Sequence, residues 1–293
     1  MNILVIGGTR FFGVHLVWEL IRCGHKVTIA TRGVRKDPFG KYVSRLTMDL
    51  TDLHSIRSAL CGRMYDVVFD NIGYSSNEIK HILDNLKCGR FIHTSTAGVY
   101  KLDHFDITED EFDGNSIGLV WCDRKEMPYD DVKRQAEAVL CQKYQGLDWS
   151  AVRLPVVLGR NDYTNRLLFY VERVLLQKPM HINNLDSQLG FANAEEIGRF
   201  LAFLCEKKKT GPVNASAQGT VSLREIIGYV GGISNTVPIL VGGGNQEAPF
   251  NDLSSFSMSV SKAEGLGFRF SSIQEWLPEL LDYYISYVKR TAK

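Results

Sequence analysis

Residues 5–13, VIGGTRFFG, carry an apolar run straight through a glycine turn into a segment with helical spacing, 11–23. That order constrains the chain more than any other feature. A helix that begins at such a turn leaves its first N–H groups unpaired and its positive dipole end facing the loop, a ready site for phosphate. In this reading Gly7 permits the tight turn, Gly8 lets backbone approach the phosphate and Gly13 lets helix pack on strand, while Thr9, Arg10, Phe11 and Phe12 complete the loop. Gly24 stands where a glycine ends the helix, and KVTIAT at 26–31 follows as a second strand. A glycine pattern alone is a weak sign. Strand before, helix after and strand again give it the context of a dinucleotide-binding βαβ unit.

The alternation continues. A third strand is expected to end near Met48-Asp49, and DVVFD (66–70), RFIHTS (90–95) and WSAVRL (149–154) read as the fourth to sixth. Near-continuous apolar runs suit strands buried on both faces, and strands separated by helices imply a parallel sheet. The fold class is therefore α/β, a Rossmann doubly wound sheet, with a smaller, discontinuous C-terminal substrate region. Helices are expected over 166–176, 194–205, 223–230 and 273–289, with Pro278 in the first turn of the last or kinking it. PVNA at 212–215 reads as a strand and 232–262 as loops. The expected division is a nucleotide-binding domain over 1–160, with later returns near 190–230, and a substrate region drawn from parts of 160–190 and 230–293.

The end of the second strand speaks to the cofactor. NAD-preferring folds place a carboxylate there for the ribose hydroxyls. Here the position is Thr31, followed by Arg32, and no carboxylate lies between Glu19 and Asp37. Arg10 and Arg32 are expected to converge on a 2′-phosphate, so NADP(H) is preferred over NAD(H). The alternative is that both arginines are merely solvated. Asp49 and Leu50, ending the third strand, would lie beside the adenine.

Tyr129 and Lys133 stand four apart after the fifth strand, and if Pro128 opens a helix they share one face. A free tyrosine titrates at about 10, too high for a base at neutral pH. An ammonium about 4 Å away, at an effective dielectric of about 20, is worth about 4 kcal/mol, roughly three pKa units. Just before lies TSTAGVY, where Thr96, Ser95 or Thr94 offers a hydroxyl to orient a substrate oxygen. The alternative for these hydroxyls is capping of the strand end.

Together these residues resemble the extended short-chain dehydrogenase/reductase family, the NAD-dependent epimerase/dehydratases that include UDP-galactose 4-epimerase. The likeness extends to DLTD (49–52), RLPVVLG (153–159) and SKAEGLGF (261–268), and so to nearly the whole chain. It implies Tyr129 as general acid/base, Lys133 as the residue that lowers its pKa and holds the ribose, and Thr96 at the catalytic Ser/Thr position. Asn71, Ser95 and Pro155 would then line the cofactor site. The implied chemistry is hydride transfer at a carbinol or carbonyl carbon of a nucleotide sugar, as an epimerase or a reductase. The family's 4,6-dehydratases carry Asp-Glu after the catalytic Thr; here Ala97 and Gly98 stand there, so dehydration is not expected. GGTRFFG, TRG at 31–33 and STAGVY also resemble the chloroplast stem-loop RNA-binding proteins of the same superfamily. That leaves an alternative, an RNA-binding or regulatory protein on a cofactor-binding scaffold. The retained Tyr129/Lys133 pair favours an enzyme.

Other features are quieter. Asn161, Asp162, Tyr163 and Arg166, after the sixth strand, are candidates to hold a substrate phosphate, or are a polar capping loop. Asn193 is a candidate substrate-side residue or an N-cap, and His93 reads as a core histidine. Trp276, Tyr283, Tyr284 and Tyr287 are spaced for packing, with a homodimer face as the alternative. A formal charge of +1 gives no general pull toward nucleic acid, and Lys207–Lys208–Lys209 reads as a solvated helix end. Six scattered cysteines without CxxC or zinc spacing suggest a reducing, cytoplasmic setting and no metal. The first residues do not read as a signal peptide, and no apolar run is long enough for a membrane span.

Overall fold

The computed structural model describes residues 1–243 and 247–291. Among these residues a sheet of seven parallel strands forms in the order β3-β2-β1-β4-β5-β6-β9. Its members are β1 (Asn2–Ile6), β2 (Lys26–Thr31), β3 (Val43–Thr47), β4 (Arg63–Asp70), β5 (Leu86–Thr96), β6 (Asp148–Leu154) and β9 (Gly211–Asn214). The direction of travel reverses at β1, which pairs with β2 on one side and β4 on the other. A crevice at the carboxyl ends of such a pair is where open α/β sheets bind ligands.

The apolar runs explain the layering. Ile3, Leu4, Val5 and Ile6 are all fully buried, but they divide by parity. Ile3 and Val5 pack with Leu16, Val17 and Leu20 of α1 (Phe12–Arg22) and Ile197, Phe200 and Leu201 of α6 (Ala194–Phe203). Leu4 and Ile6 pack with Ile56 and Leu60 of α2 (Leu53–Leu60), Ile79 and Ile82 of α3 (Ser76–Leu83), and Val139 and Leu140 of α4 (Tyr129–Lys143). A third apolar cluster joins α5 (Arg166–Leu175), α7 (Leu223–Ser234) and α9 (Ile273–Thr291) through residues such as Tyr170, Val171, Ile226, Phe256, Leu281 and Ile285.

Gly198 makes the α1–α6 approach. A Cβ there would lie 2.5 Å from His15 Cβ and 2.8 Å from the Leu16 nitrogen, which is backbone and cannot swing away. Gly198→Val is expected to destabilise the fold by about 1–3 kcal/mol through overpacking. A urea titration checks this: the midpoint falls while the slope stays unchanged.

The expected strands and helices are present, with shifted ends. β4 and β5 begin three and four residues earlier than their apolar runs suggest, at Arg63 and Leu86, and β3 stops at Thr47, before Met48-Asp49. Pro128 caps α4 from outside rather than opening it, and Pro278 lies in the second turn of α9, not the first. Two short elements were not legible: β7 (Val156–Leu158) and β8 (Phe191–Asn193) pair as a separate parallel ribbon. Within 232–262, a region expected to be loops, α7 runs on to Ser234 and α8 (Ser261–Gly265) begins. Residues 244–246 of that region, and 292–293 of the expected C-terminal substrate region, lie outside the described residues.

Candidate active site

The glycine turn is built as its sequence requires, with one change of role. Gly7 has φ of 78°, and a Cβ there would lie 2.4 Å from the Ile72 side chain. A Cβ on Gly13 would press on the Gly7 carbonyl and the Gly8 backbone, so helix and strand need this glycine to meet. Gly8 does not open the way to phosphate. Its missing side chain would collide with Val17 and Val5, so this glycine serves strand–helix packing instead. Phe11 enters α1 with φ of 50° and ψ of −130°, a backbone conformation that L residues rarely adopt. Such strain tends to persist at functional turns.

A cleft of about 520 Å³ opens over this turn, lined by Gly7, Thr9, Arg10, Phe11, Phe12, Gly13, Thr31, Arg32, Asp49, Leu50, Asn71 and Tyr163 among others. The sequence-chosen residues thus converge. Asn71 donates to the Gly7 carbonyl at 3.1 Å and accepts from Thr94 Oγ1, which ties β4 and β5 to the turn. Thr31 Oγ1 accepts from Gly33 N–H. The hydrogen bonds from Thr51, with help from the Arg32 charge, hold the Asp49 carboxyl below its usual range. Arg10 lies over the Tyr163 ring at 4.8 Å, so the loop after β7 closes on the glycine turn. Sequence reasoning missed Arg35, Arg124 and Tyr74 in this lining. Arg35 had a signal, a second arginine three residues after Arg32 across a glycine. Arg124 had none: it comes from the long stretch before α4, pairs with Glu78, donates to the Ile72 carbonyl at 2.6 Å and covers the Tyr74 ring.

A second cleft, of about 470 Å³, shares Phe11, Phe12, Asn71, Tyr74 and Tyr163 with the first. Thr96, Tyr129, Lys133, Pro155, Asp162, Thr164 and Arg166 line it. Asn161 does not: it sits exposed at a turn with φ of 65°, and Asp162, its buried neighbour, lines the cleft in its place. Arg166 donates to Thr164 Oγ1 at 2.9 Å. Asn193 caps α6, accepting from the N–H groups of Glu195 and Glu196.

The structure selects among the three hydroxyls of β5. Thr94 donates to Asn71, and Ser95 points the other way, donating at 2.5 Å to the buried carboxylate of Glu137. The Ser95 hydroxyl thus acts as a support beneath the site, while the residue still lines the second cleft. Thr96 accepts from Gly98 N–H and lines the second cleft together with Tyr129. Below them Arg153 and Glu137, both fully buried, pair at 2.6 Å, and Arg153 also donates to Tyr100 and to the carbonyls of Glu109 and Phe112. Burial works against the Arg153 charge, but the Glu137 carboxylate outweighs it and holds the guanidinium pKa up.

Tyr129 is half exposed to the cleft and meets Tyr74 edge-on at 5.8 Å. Its surroundings push the phenol pKa up, chiefly by burial, against the nearby Thr96 hydroxyl. The expected effect of Lys133 is missing in this arrangement. The Lys133 amine turns inward, donating to the Thr94 carbonyl at 2.7 Å and the Gly73 carbonyl at 3.0 Å, with His93 Nε2 at 3.2 Å. Tyr129 and Lys133 line one cleft, as their spacing implied, but the ammonium is committed elsewhere. His93 is a buried core histidine, as read from the sequence, with Asp70 as its partner.

A family model for the NAD dependent epimerase/dehydratase family matches residues 3–216. The chain belongs to this family. A similar curated protein is the chloroplast stem-loop binding protein of 41 kDa b from Arabidopsis thaliana, 29% identical over 208 residues that cover 64% of this chain and 50% of the relative. The chain thus spans about half the length of that curated relative. Among solved structures, a Thermotoga maritima UDP-glucose 4-epimerase with UDP-glucose aligns over 100% of both chains at 18% identity and a TM-score of 0.76. MoeE5 in complex with UDP-glucose and NAD aligns over 100% of both chains at 20% identity and a TM-score of 0.74. A Thermus thermophilus UDP-glucose 4-epimerase with NAD aligns over 97% of this chain and 99% of its own, at 19% identity and a TM-score of 0.72. These likenesses establish the Rossmann fold of the family. Among the described residues no helix is long and apolar enough to cross a membrane.

Proposed function

We propose that this chain is a nicotinamide-dinucleotide-dependent epimerase or reductase acting on a nucleotide sugar, with NADP(H) preferred over NAD(H). The observation that carries the reading is Thr96, Tyr129 and Lys133 lining one cleft that shares Phe11, Phe12, Asn71, Tyr74 and Tyr163 with the cleft over the glycine turn. The glycine turn fits a dinucleotide: Gly7 and Gly13 leave room that a side chain would fill, and the α1 N-terminus faces the cleft. Bound there, a nicotinamide supplies hydride acceptance and donation. The chain's own residues do the rest. Thr96 holds the substrate oxygen, Tyr129 takes the hydroxyl proton or returns one, and Lys133 stabilises the phenolate once its ammonium reaches it. Tyr163 and Arg166, facing the second cleft, would hold the substrate's phosphates. Nucleotide sugars are the favoured class because UDP-glucose occupies two of the similar structures. Dehydration stands outside the reading, since Ala97 and Gly98 bring no acid–base pair. A homodimer stays part of the proposal through the exposed Tyr287 of α9, while its neighbour Tyr284 is buried and packs edge-on with Tyr283.

The cofactor preference rests on Arg10, Arg32 and Arg35 lining one cleft whose second-strand end carries Thr31 and no carboxylate. Titration with NADPH and NADH, read by nicotinamide fluorescence, tests it. Arg32→Ala is expected to weaken NADPH binding by about tenfold or more, the worth of one charge-assisted hydrogen bond, and to leave NADH unchanged. Tighter NADH binding in the unaltered protein overturns the preference. If neither nucleotide binds, the enzymatic reading fails.

The similarity to a protein named for stem-loop binding favours a second reading, RNA binding on the same scaffold. Its signature is tight, salt-sensitive RNA binding that Tyr129→Phe leaves intact. Against it, Lys207 lies over the Phe203 ring, which leaves Lys208 and Lys209 exposed as a basic patch too small for a nucleic-acid footprint.

A further inference from the structure

Three ionisable side chains meet beneath the second cleft. Asp70 and His93 stand opposite each other in the β4–β5 register, both fully buried, with Asp70 Oδ2 2.8 Å from His93 Nδ1. Lys133, 4% exposed, reaches them from α4. The carboxylate is wrapped from its other side: Asp70 Oδ1 accepts from the N–H groups of Gly73 and Ile72, and a Cβ at Gly73 would lie 2.1 Å from Asp70 Oδ2. Hydrogen-bond logic fixes the protons. An ammonium only donates, so His93 Nε2 accepts from Lys133; the imidazole proton then sits on Nδ1 and is donated to Asp70. With Gly73 and Thr94 taking the other two, all three Lys133 N–H groups are used.

We infer that Asp70 and His93 form a buried seat for the Lys133 ammonium, which the lysine must leave to reach Tyr129 and a bound nucleotide, so that this pair positions the lysine and sets how readily it is deployed. The second position of the lysine rests on the function proposed above; the seat itself does not. Charge states agree with the geometry. Burial lowers the Lys133 pKa to about 8, still charged at neutral pH, with Asp70, Glu137 and Glu78 opposing the burial and Arg124 adding to it. Burial and the Lys133 charge keep His93 below its ordinary value of 6.5, against Asp70 and Glu137, so the imidazole is neutral. Burial alone would raise Asp70, but the hydrogen bonds from His93 and Gly73 and the Lys133 charge prevail and keep it ionised. The Tyr74 ring, 5.3 Å from the amine, closes the seat toward the cleft.

The test follows the protons and then the lysine. Histidine-¹⁵N-labelled protein, with His93→Gln assigning the signals, should show His93 as the neutral Nδ1–H tautomer at pH 7 and still neutral somewhat below pH 6.5. Saturating NADPH should then move the Nε2 resonance as the ammonium departs. An Nε2–H tautomer, a charged imidazole at pH 7, or an Nε2 signal indifferent to bound NADPH overturns the inference. Independently, acetylation of Lys133 by acetic anhydride, read by mass spectrometry without nucleotide, should be slow. Asp70→Asn is expected to speed it about tenfold, because an amide that bonds both Gly73 and His93 forces the imidazole to present N–H to the ammonium. His93→Gln, which keeps an acceptor for Lys133, is expected to restrain the lysine far better than His93→Leu. Rates equal to those of surface lysines in the unaltered protein, or no difference between the Gln and Leu variants, overturn the seat. If NADPH does not bind at all, the proposed function fails, while the tautomer and acetylation measurements still decide the seat.

Discussion

Replacing Tyr129 with phenylalanine is expected to lower turnover about 10²–10⁴-fold, the usual worth of a positioned acid or base, with nucleotide binding nearly unchanged. The substitution removes one oxygen from a half-exposed ring and leaves its edge-on contact with Tyr74 in place. Stability should therefore hold, and the thermal midpoint read beside the rates checks this. Thr96 keeps the Gly98 N–H, so the hydroxyl proposed to orient the substrate oxygen stays put. The loss should appear in kcat and kcat/KM alike, because the proton moves only in the transition state. A nucleotide-sugar substrate with NADPH or NADH serves for the assay. Unchanged turnover removes Tyr129 from the mechanism. A loss of nucleotide binding of the same size would mean instead that the ring is part of the binding cleft.

The cleft over the glycine turn was legible because its determinants are local. Gly7, Thr9, Arg10 and Gly13 lie within one strand–turn–helix unit, and the second-strand end adds Thr31 and Arg32 at a fixed distance. What the sequence could not assign depends on parity and on contacts between distant segments. TST at 94–96 offers a hydroxyl at every position, so pattern alone cannot say which one faces the cleft; the β5 pairing turns the Ser95 hydroxyl toward Glu137 and leaves Thr96 in the cleft lining with Tyr129. Gly8 looks like a phosphate glycine in the string, yet its neighbours are Val17 and Val5. Spacing put Tyr129 and Lys133 on one helix face, but a lysine is long enough to choose between partners. The one it takes is assembled from the ends of two separate strands, β4 and β5. A trace of that was in the string: Asp70 and His93 are polar residues inside otherwise apolar strand runs. The β7–β8 ribbon escaped because three-residue strands carry too little periodicity to read.

Glu137→Ala should be the most destabilising single change near the site, by about 3–5 kcal/mol, because it leaves a buried guanidinium without its counter-charge. Arg153 donates to Glu137 through Nε and Nη2, and at zero exposure no water can replace the carboxylate. The same change strips the acceptor from Ser95. The remaining partners of Arg153, the Tyr100 hydroxyl and the Glu109 and Phe112 carbonyls, are neutral and offset only part of the loss. A urea titration reads the effect. Removing both charges, as Glu137→Leu with Arg153→Met, should recover much of it, since an apolar pair of similar volume carries no desolvation penalty. That double variant separates fold from function: Ser95 loses its support directly beneath Thr96 while the core stays filled. If the pair matters only for stability, activity returns with the fold. A stable double variant with raised KM or lowered kcat would show that the Arg153–Glu137–Ser95 chain also holds the end of β5 where Thr96 meets Tyr129.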